Sequence, residues 1–474
     1  MRRETSAASS EALLVALIVL IGLLSVGCAR ATASLPGATL PAELRPTPTA
    51  SATRLPVAAL QGPSVASSPV LPQSTPTLTP TPILDATGIA DPGPFVMDGS
   101  HCGIQLPLVA TPELATDQIA NPNPSLMDVP GQVRPAVAFM LANPEKVGLA
   151  AYEVGREGEG VYLNADNPLP LASVVKVLHL VSYARAVQVG ELDPDTVVPL
   201  AELERYYLPN SDLGSHPRAV AALVSEERVF GDPPAILLED VPRMMIEFSS
   251  NAAADYLHML LGQQRIEETA IALGFARQTA PCPFLGQFLL MGHRDEGLAP
   301  VTKLVQDLPR YSREVMAVTE QYSGDQEFRD EAGGWQRANR PTIEAQQLFS
   351  EQLNPHGSAR EYANLMAQIA LNTLGPWEES VRIRRYLEWP THFTENQERL
   401  AWLGYKGGSL PGVLTVVYYA QPWDTTQPVV VALFYHDLPL ETYREWRRSL
   451  PHDELARWLL RDRRAIPMIR DLLG

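Results

Sequence analysis

The chain has 474 residues, with 54 acidic against 37 basic side chains and a net charge of −17 at pH 7. With no run of lysine or arginine to offset that balance, nucleic acid is excluded as an expected partner. The three cysteines and nine histidines show neither C-x-x-C nor H-E-x-x-H spacing, so no metal site or other cofactor is expected. The absence of a G-x-S-x-G elbow argues against a Ser-His-Asp hydrolase.

Arg2 and Arg3 precede an apolar run from Ala12 to Val26 that is too short for an ordinary membrane span and ends at Gly27-Cys28. Residues 1–28 therefore read as a signal peptide. The string LSVGC resembles a bacterial lipobox, although Ser25 stands where a bulky aliphatic is usual. That resemblance implies that Cys28 is lipidated and holds the mature protein on the outer face of a membrane. An uncleaved anchor of the same orientation is the alternative, and both place the remaining chain outside the cytoplasm. Residues 29–128 are dominated by Pro, Thr, Ser and Ala and have no periodic apolar face, so they are expected to form a disordered tether. Residues 129–474 are long enough for one large α/β unit. Once Cys28 carries lipid, Cys102 and Cys282 remain to pair in an oxidising compartment.

The runs VGLAAYEV, GVLTVVYYA and PVVVALFYH have the apolar, β-branched character of buried strands. After Ser173 the segment is apolar nearly all round, through Val174, Val175, Val177, Leu178, Leu180 and Val181, so a buried helix is predicted. Ser173 and Lys176 fall on neighbouring positions of that helix. Burial disfavours the charged form of Lys176, which suits a serine nucleophile with an amine base. The plainer alternative makes Ser173 an N-cap and lets Lys176 reach solvent along its stem.

Between Tyr206 and Asp240 the chain is loop-rich, and Tyr206, Tyr207 and His216 are candidates for a cleft wall or for plain packing. Within MMIEFSSNAAADYLHMLLG a helix breaks at Ser249-Ser250-Asn251 and a new one opens at Ala252, either as a simple turn or as part of a site. An interval of 157 residues separates Ser249 from Lys406. Much of it is polar and irregular in places, and a segment of that length is expected to shape substrate access. A strand from Ala401 to Tyr405 then leads to Lys406-Gly407-Gly408-Ser409 and a turn at Pro411-Gly412, where the glycines could serve a hairpin. The basic C-terminal segment, with its alternating acids, predicts an amphipathic helix.

Taken in order, the strings around Ser173-x-x-Lys176, Ser249-x-Asn251 and Lys406-x-Gly408 resemble the S-x-x-K, S-D-N and K-T-G signature of the penicillin-recognising serine hydrolases, in particular class A β-lactamases. The resemblance extends from about Val129 to Gly474. It implies an α/β (α+β) fold of β-lactamase/transpeptidase type: an antiparallel sheet of about five strands flanked by helices, with an inserted all-helical lobe. It implies that Ser173 is acylated, Lys176 is its base, Ser249 relays a proton to the leaving group, and Asn251 bonds the substrate amide or the lysine. Lys406 would supply positive charge, while the backbone N–H groups of Ser173 and Ser409, next to Gly408, would form an oxyanion hole. A terminal helix carrying Trp446, Leu450, Leu455, Trp458 and Leu459 would pack on the sheet.

Three positions depart from the pattern. Ser250 replaces the middle aspartate, and Gly407 replaces the hydroxyl residue that would bind a substrate carboxylate, a role the Ser409 hydroxyl could assume. There is no E-x-x-L-N string for activating the deacylating water, and Glu351 in Glu351-Gln352-Leu353-Asn354 is the nearest substitute. The expected activity is acyl-enzyme formation on Ser173 with a β-lactam or a related amide or ester, by a monomer. D-Ala-D-Ala peptidase or penicillin-binding-type acyl transfer on peptidoglycan peptides is one alternative, and a catalytically silent binding protein is another.

Overall fold

In the computed structural model, which describes residues 102–106, 125–292, 299–338 and 341–474, the apolar runs pair into one sheet. All described residues fall within one unit, Val96–Gly474. The expected signal peptide and Cys28, with most of the expected tether, lie outside the described residues. The strands are β1 (Val147–Glu153), β2 (Val161–Leu163), β3 (Leu400–Leu410), β4 (Val413–Pro422) and β5 (Val429–Tyr435). All pairings are antiparallel, in the spatial order β2-β1-β5-β4-β3. The expected five-stranded α+β architecture is therefore present, with its two chain ends brought together at β1 and β5.

Side chains alternate across a strand, and here both faces are covered. On β5, Val430, Ala432 and Phe434 join the core on one face. Val429, Val431, Leu433 and Tyr435 join a separate core on the other. This explains the nearly continuous apolar sequence of β5, because every residue in it is buried. The helices that frame the site are α1 (Arg134–Ala142), α2 (Lys176–Gln188), α3 (Ser215–Ser225), α4 (Asn251–Leu261) and α5 (Phe284–Gly292). They are followed by α6 (Ile343–Gln352), α7 (Ala359–Leu371), α8 (Leu440–Ser449) and α9 (Pro451–Arg461). Residues of α2, α4 and α7 share the first core, and those of α1, α8 and α9 share the second.

The long interval between α4 and α7 is mostly helical where described, in keeping with an inserted helical lobe. Asp307 caps the helix Leu308–Gly324 by accepting the Arg310 N–H at 3.0 Å. That helix buries Tyr311 and Val315 in a small core with Phe349. Cys102 is disulfide-bonded to Cys282 beside the same core. The Gly103 N–H also donates to the Ala280 carbonyl, and the Ala280 N–H to the Ile104 carbonyl, so the end of the expected tether runs alongside the domain.

Two boundaries differ from the sequence reading. β3 runs on past Tyr405, the last residue of the expected strand, through Lys406, Gly407 and Gly408 to Leu410, and the turn falls at Pro411 and Gly412 as read. The C-terminal helix is divided, because Leu450 adopts φ +52° and Pro451 opens α9. Trp446, Leu455 and Leu459 pack beneath the sheet with Trp458 at the margin, as expected. Leu450, however, is left on the wall of the cavity described below.

The entry to α7 is clamped by one buried cation. Arg360 is 4% exposed, and its guanidinium contacts Asp166 at 2.8 and 2.9 Å and lies 4.4 Å from the centre of the Tyr162 ring. Removing the carboxylate leaves that charge with poorer compensation. Asp166→Ala is expected to lower unfolding stability by about 1–3 kcal/mol, as measured by urea denaturation. An unchanged midpoint would show that the clamp contributes nothing.

Candidate active site

Three hydrogen bonds hold the turn that presents Ser173. The Leu171 N–H donates to the Pro355 carbonyl, Thr415 Oγ1 donates to the Leu171 carbonyl, and the Ala172 N–H donates to Asn354 Oδ1, each at 2.8 Å. They hold Ala172 at φ +47°, a left-handed conformation that costs a non-glycine residue about 1–2 kcal/mol. Ser173 then lies in the single 3₁₀ turn Ala172–Val175, and α2 begins at Lys176. Across from it, a Cβ on Gly408 would lie 2.7 Å from Ser173 N and 2.5 Å from Thr415 Oγ1, so the close approach of β3 requires glycine there. Ser409 follows and lines the same cavity as Ser173. Backbone N–H donors from the two segments can therefore face one ligand oxygen.

Lys176 is fully buried. Its Nζ donates to the Ser249 carbonyl and to Asn251 Oδ1, each at 2.7 Å, and lies 3.3 Å from Ser249 Oγ. Burial pushes its pKa down to about 7, with the charges of Asp212 and Asp255 opposing the shift. In the uncharged amine, the two short bonds use both hydrogens and leave the lone pair available. Among the described residues no hydrogen bond joins Lys176 to the Ser173 hydroxyl. Lys406, 3% exposed, approaches the same serine from β3: its Nζ lies 3.0 Å from Ser249 Oγ and 2.7 Å from the Gly407 carbonyl. Burial, then repulsion from Lys176, holds Lys406 well below the ordinary lysine range. Ser249 Oγ thus bridges two amines, and Ser249 itself is held at φ +64°.

The middle serine has a separate task. Ser250 Oγ caps α4 by accepting the Ala253 N–H at 3.1 Å, and it lies 2.9 Å from His216 Nδ1. His216 Nε2 reaches Glu204 Oε1 at 3.3 Å. His216 is buried behind the Ser249 loop, Tyr207 stacks on it at 4.9 Å, and Tyr206 packs on Tyr256. None of Tyr206, Tyr207 and His216 lines the cavity holding Ser173, so of the two readings offered for them plain packing holds.

That cavity has a volume of about 930 Å³. On the Lys176 side its wall comes from the inserted lobe. Asp255 accepts the N–H groups of Phe284 and Leu285, both at 2.7 Å, which anchors the start of α5. The Phe284 ring lies 4.7 Å from Lys176 Nζ. Burial raises the Asp255 pKa to about 7, against the effect of those N–H donors and Lys176. Among the described residues lining the cavity the one carboxylate is Asp212, which already accepts N–H groups of Gly214, Ser215 and His216.

Glu351 is corrected. It leaves the cavity on α6, contacts His436 Nδ1 at 3.0 Å and accepts the Asp437 N–H at 2.7 Å, because α6 turns that side chain toward the end of β5. Ser409 Oγ is also engaged, at 3.1 Å from Tyr443 Oη. Asn354, Thr415, Asp255 and Phe284 were not singled out from sequence. Only Asp255, an acid on the apolar stretch after Asn251, carried a signal that could have marked it. Among the described residues no group of three or more His, Cys, Asp and Glu could hold a metal ion.

A family model described as the beta-lactamase enzyme family matches residues 134–445. No curated protein matches the chain. Among solved structures, a beta-lactamase from Sphaerobacter thermophilus is 18% identical, with 71% of this chain and 94% of that one covered and a TM-score of 0.40. A variant of the last common ancestor of Gram-negative bacteria class A beta-lactamase is 15% identical, with coverages of 68% and 96% and a TM-score of 0.41. PBP-A is 14% identical, with coverages of 65% and 89% and a TM-score of 0.35.

If Lys176 is the base, only its uncharged form can accept the Ser173 proton. A pKa lowered to about 7 means that the active fraction grows as pH rises to about 7 and saturates above it. The rate at which a fluorophosphonate labels Ser173 is expected to rise about tenfold per pH unit below that point and then level. A rise continuing toward pH 10 would show an ordinary lysine.

Proposed function

The chain belongs to the beta-lactamase enzyme family, and from that membership we propose that it is an extracytoplasmic serine enzyme that forms a covalent acyl-enzyme on Ser173. The observation that carries the reading is the convergence of Lys176 and Lys406 on Ser249 Oγ, with Asn251 on the same amine. In the proposed reaction Lys176 takes the Ser173 proton as Oγ attacks an acyl carbonyl. The N–H groups of Ser173 and Ser409 stabilise the oxyanion, a charge present only during reaction. Ser249, in contact with both amines, passes a proton to the departing nitrogen or oxygen. A water or an amine then accepts the acyl group. The signal-peptide pattern and Cys28 support export and a lipid anchor.

Among β-lactam hydrolysis, peptidase-type acyl transfer and silent binding, the cavity favours slow release of the acyl group. A deacylating water needs a nearby base. Asp212 is occupied by three backbone donors, Glu351 is bonded to His436, and Phe284 covers the Lys176 side. This supports behaviour of penicillin-binding type acting on a β-lactam, a peptidoglycan peptide or a related amide or ester.

Intact-mass measurement of the purified protein with a penicillin is expected to show one adduct that outlasts removal of free penicillin by gel filtration, and none on Ser173→Ala. Rapid loss of the adduct would make the protein a fast hydrolase with a base other than Glu351. No adduct with either penicillin or a fluorophosphonate would leave the silent binding protein.

A further inference from the structure

Gly407 stands where the resemblance calls for a hydroxyl side chain, yet that space is filled. A Cβ built on Gly407 would collide with Tyr405 Oη and lie 3.0 Å from Tyr405 Cζ. Residues 405 and 407 occupy the same face of β3, so the phenol lies along the strand and sets its hydroxyl where a residue-407 side chain would begin. The ring is fixed from two directions: Tyr418 lies 4.6 Å away between centroids, and Trp389 packs edge-on at 6.0 Å. Tyr405 lines the cavity together with Ser173, Ser249, Gly407 and Ser409. The Ser409 hydroxyl, the other candidate for this place, is held by Tyr443.

We infer that Tyr405 is the specificity-determining hydroxyl of this site, donating its phenolic hydrogen to the carboxylate of an acyl substrate in place of a side chain at position 407. The inference rests on the acylation reading of Ser173. Burial, reinforced by the charge of Asp453, raises the phenol pKa, so the group remains a hydrogen donor throughout the working pH range. The cavity is suited to an anion: Arg447 of α8 lines it beside Arg444, which is paired with Glu441, and the carboxylate of Asp212 is already satisfied by backbone donors. Gly407 is then required by the phenol, and the two positions act as one unit. A threonine at 407 fits only when the tyrosine is removed.

The test compares acylation by penicillin, which carries a carboxylate, with acylation by a fluorophosphonate, which carries none, on the full chain by intact mass. Tyr405→Phe keeps both ring contacts and loses only the hydroxyl. Its penicillin acylation rate constant is expected to fall about ten- to a hundredfold, the size of a lost hydrogen bond to a charged group, with fluorophosphonate labelling unchanged. Gly407→Thr is expected to lose penicillin acylation through the collision, and Tyr405→Val combined with Gly407→Thr to recover it. An unchanged penicillin rate in Tyr405→Phe overturns the inference, as does an equal loss toward both reagents. Wild-type protein labelled by the fluorophosphonate but not by penicillin overturns it while sparing Ser173 as an activated serine. Wild-type protein labelled by neither reagent removes the acylation reading and this inference with it.

Discussion

Two lysine amines buried beside one serine hydroxyl set the terms for everything around them. An ammonium group removed from water is costly unless it is compensated, and here the compensation at contact distance is neutral: carbonyls, an amide and a hydroxyl. The cost is reduced by lowered pKa values, which leave an uncharged amine accessible near neutral pH. The apolar character of α2 follows from this need, because a helix with a hydrated face would let Lys176 reach water. Even the polar groups further along α2 are internally satisfied, with His179 Nε2 lying 3.0 Å from His258 Nδ1 one turn beyond Lys176.

Placing those groups requires backbone conformations that the local sequence would not choose. Ala172 and Ser249 both have positive φ without being glycine, and each is held by contacts from distant segments. Asn354, Pro355 and Thr415 grip the turn before Ser173, while Lys176, Lys406 and the Ser250 cap grip the turn at Ser249. Strain of this kind persists only where surrounding structure over-determines it. The sheet supplies that rigidity, since β3 reaches the serine turn closely enough that only glycine fits at position 408.

The inserted lobe gives the cavity its individual character. Asp255 lies one turn along α4 from Asn251 and spends its carboxylate on the first N–H groups of α5, so the segment carrying Asn251 also sets the position of Phe284. An aromatic ring thereby lies over the amine. The opposite wall, from α8 and the start of α9, brings Tyr443 and two arginines toward β3. One wall is apolar and the other cationic and phenolic, a combination that suits an acyl compound with an anionic group.

The sequence alone determined the apolar runs of three of the five strands, the buried helix after Ser173, the break at Ser249 and the order of the three strings. These are legible because periodicity and side-chain chemistry are local properties. It also suggested Glu351 as a base and Ser409 as a spare hydroxyl. Those expectations depended on which way an element faces, and rotation of α6 or closure of Tyr443 on Ser409 is set by packing between segments far apart in the chain. Only the tertiary structure decided that Glu351 meets His436, that Asp255 holds Phe284 over Lys176, and that the space beside Gly407 belongs to Tyr405. Each follows from the filling of a shared volume, and a linear pattern of residue types does not encode which neighbour fills it.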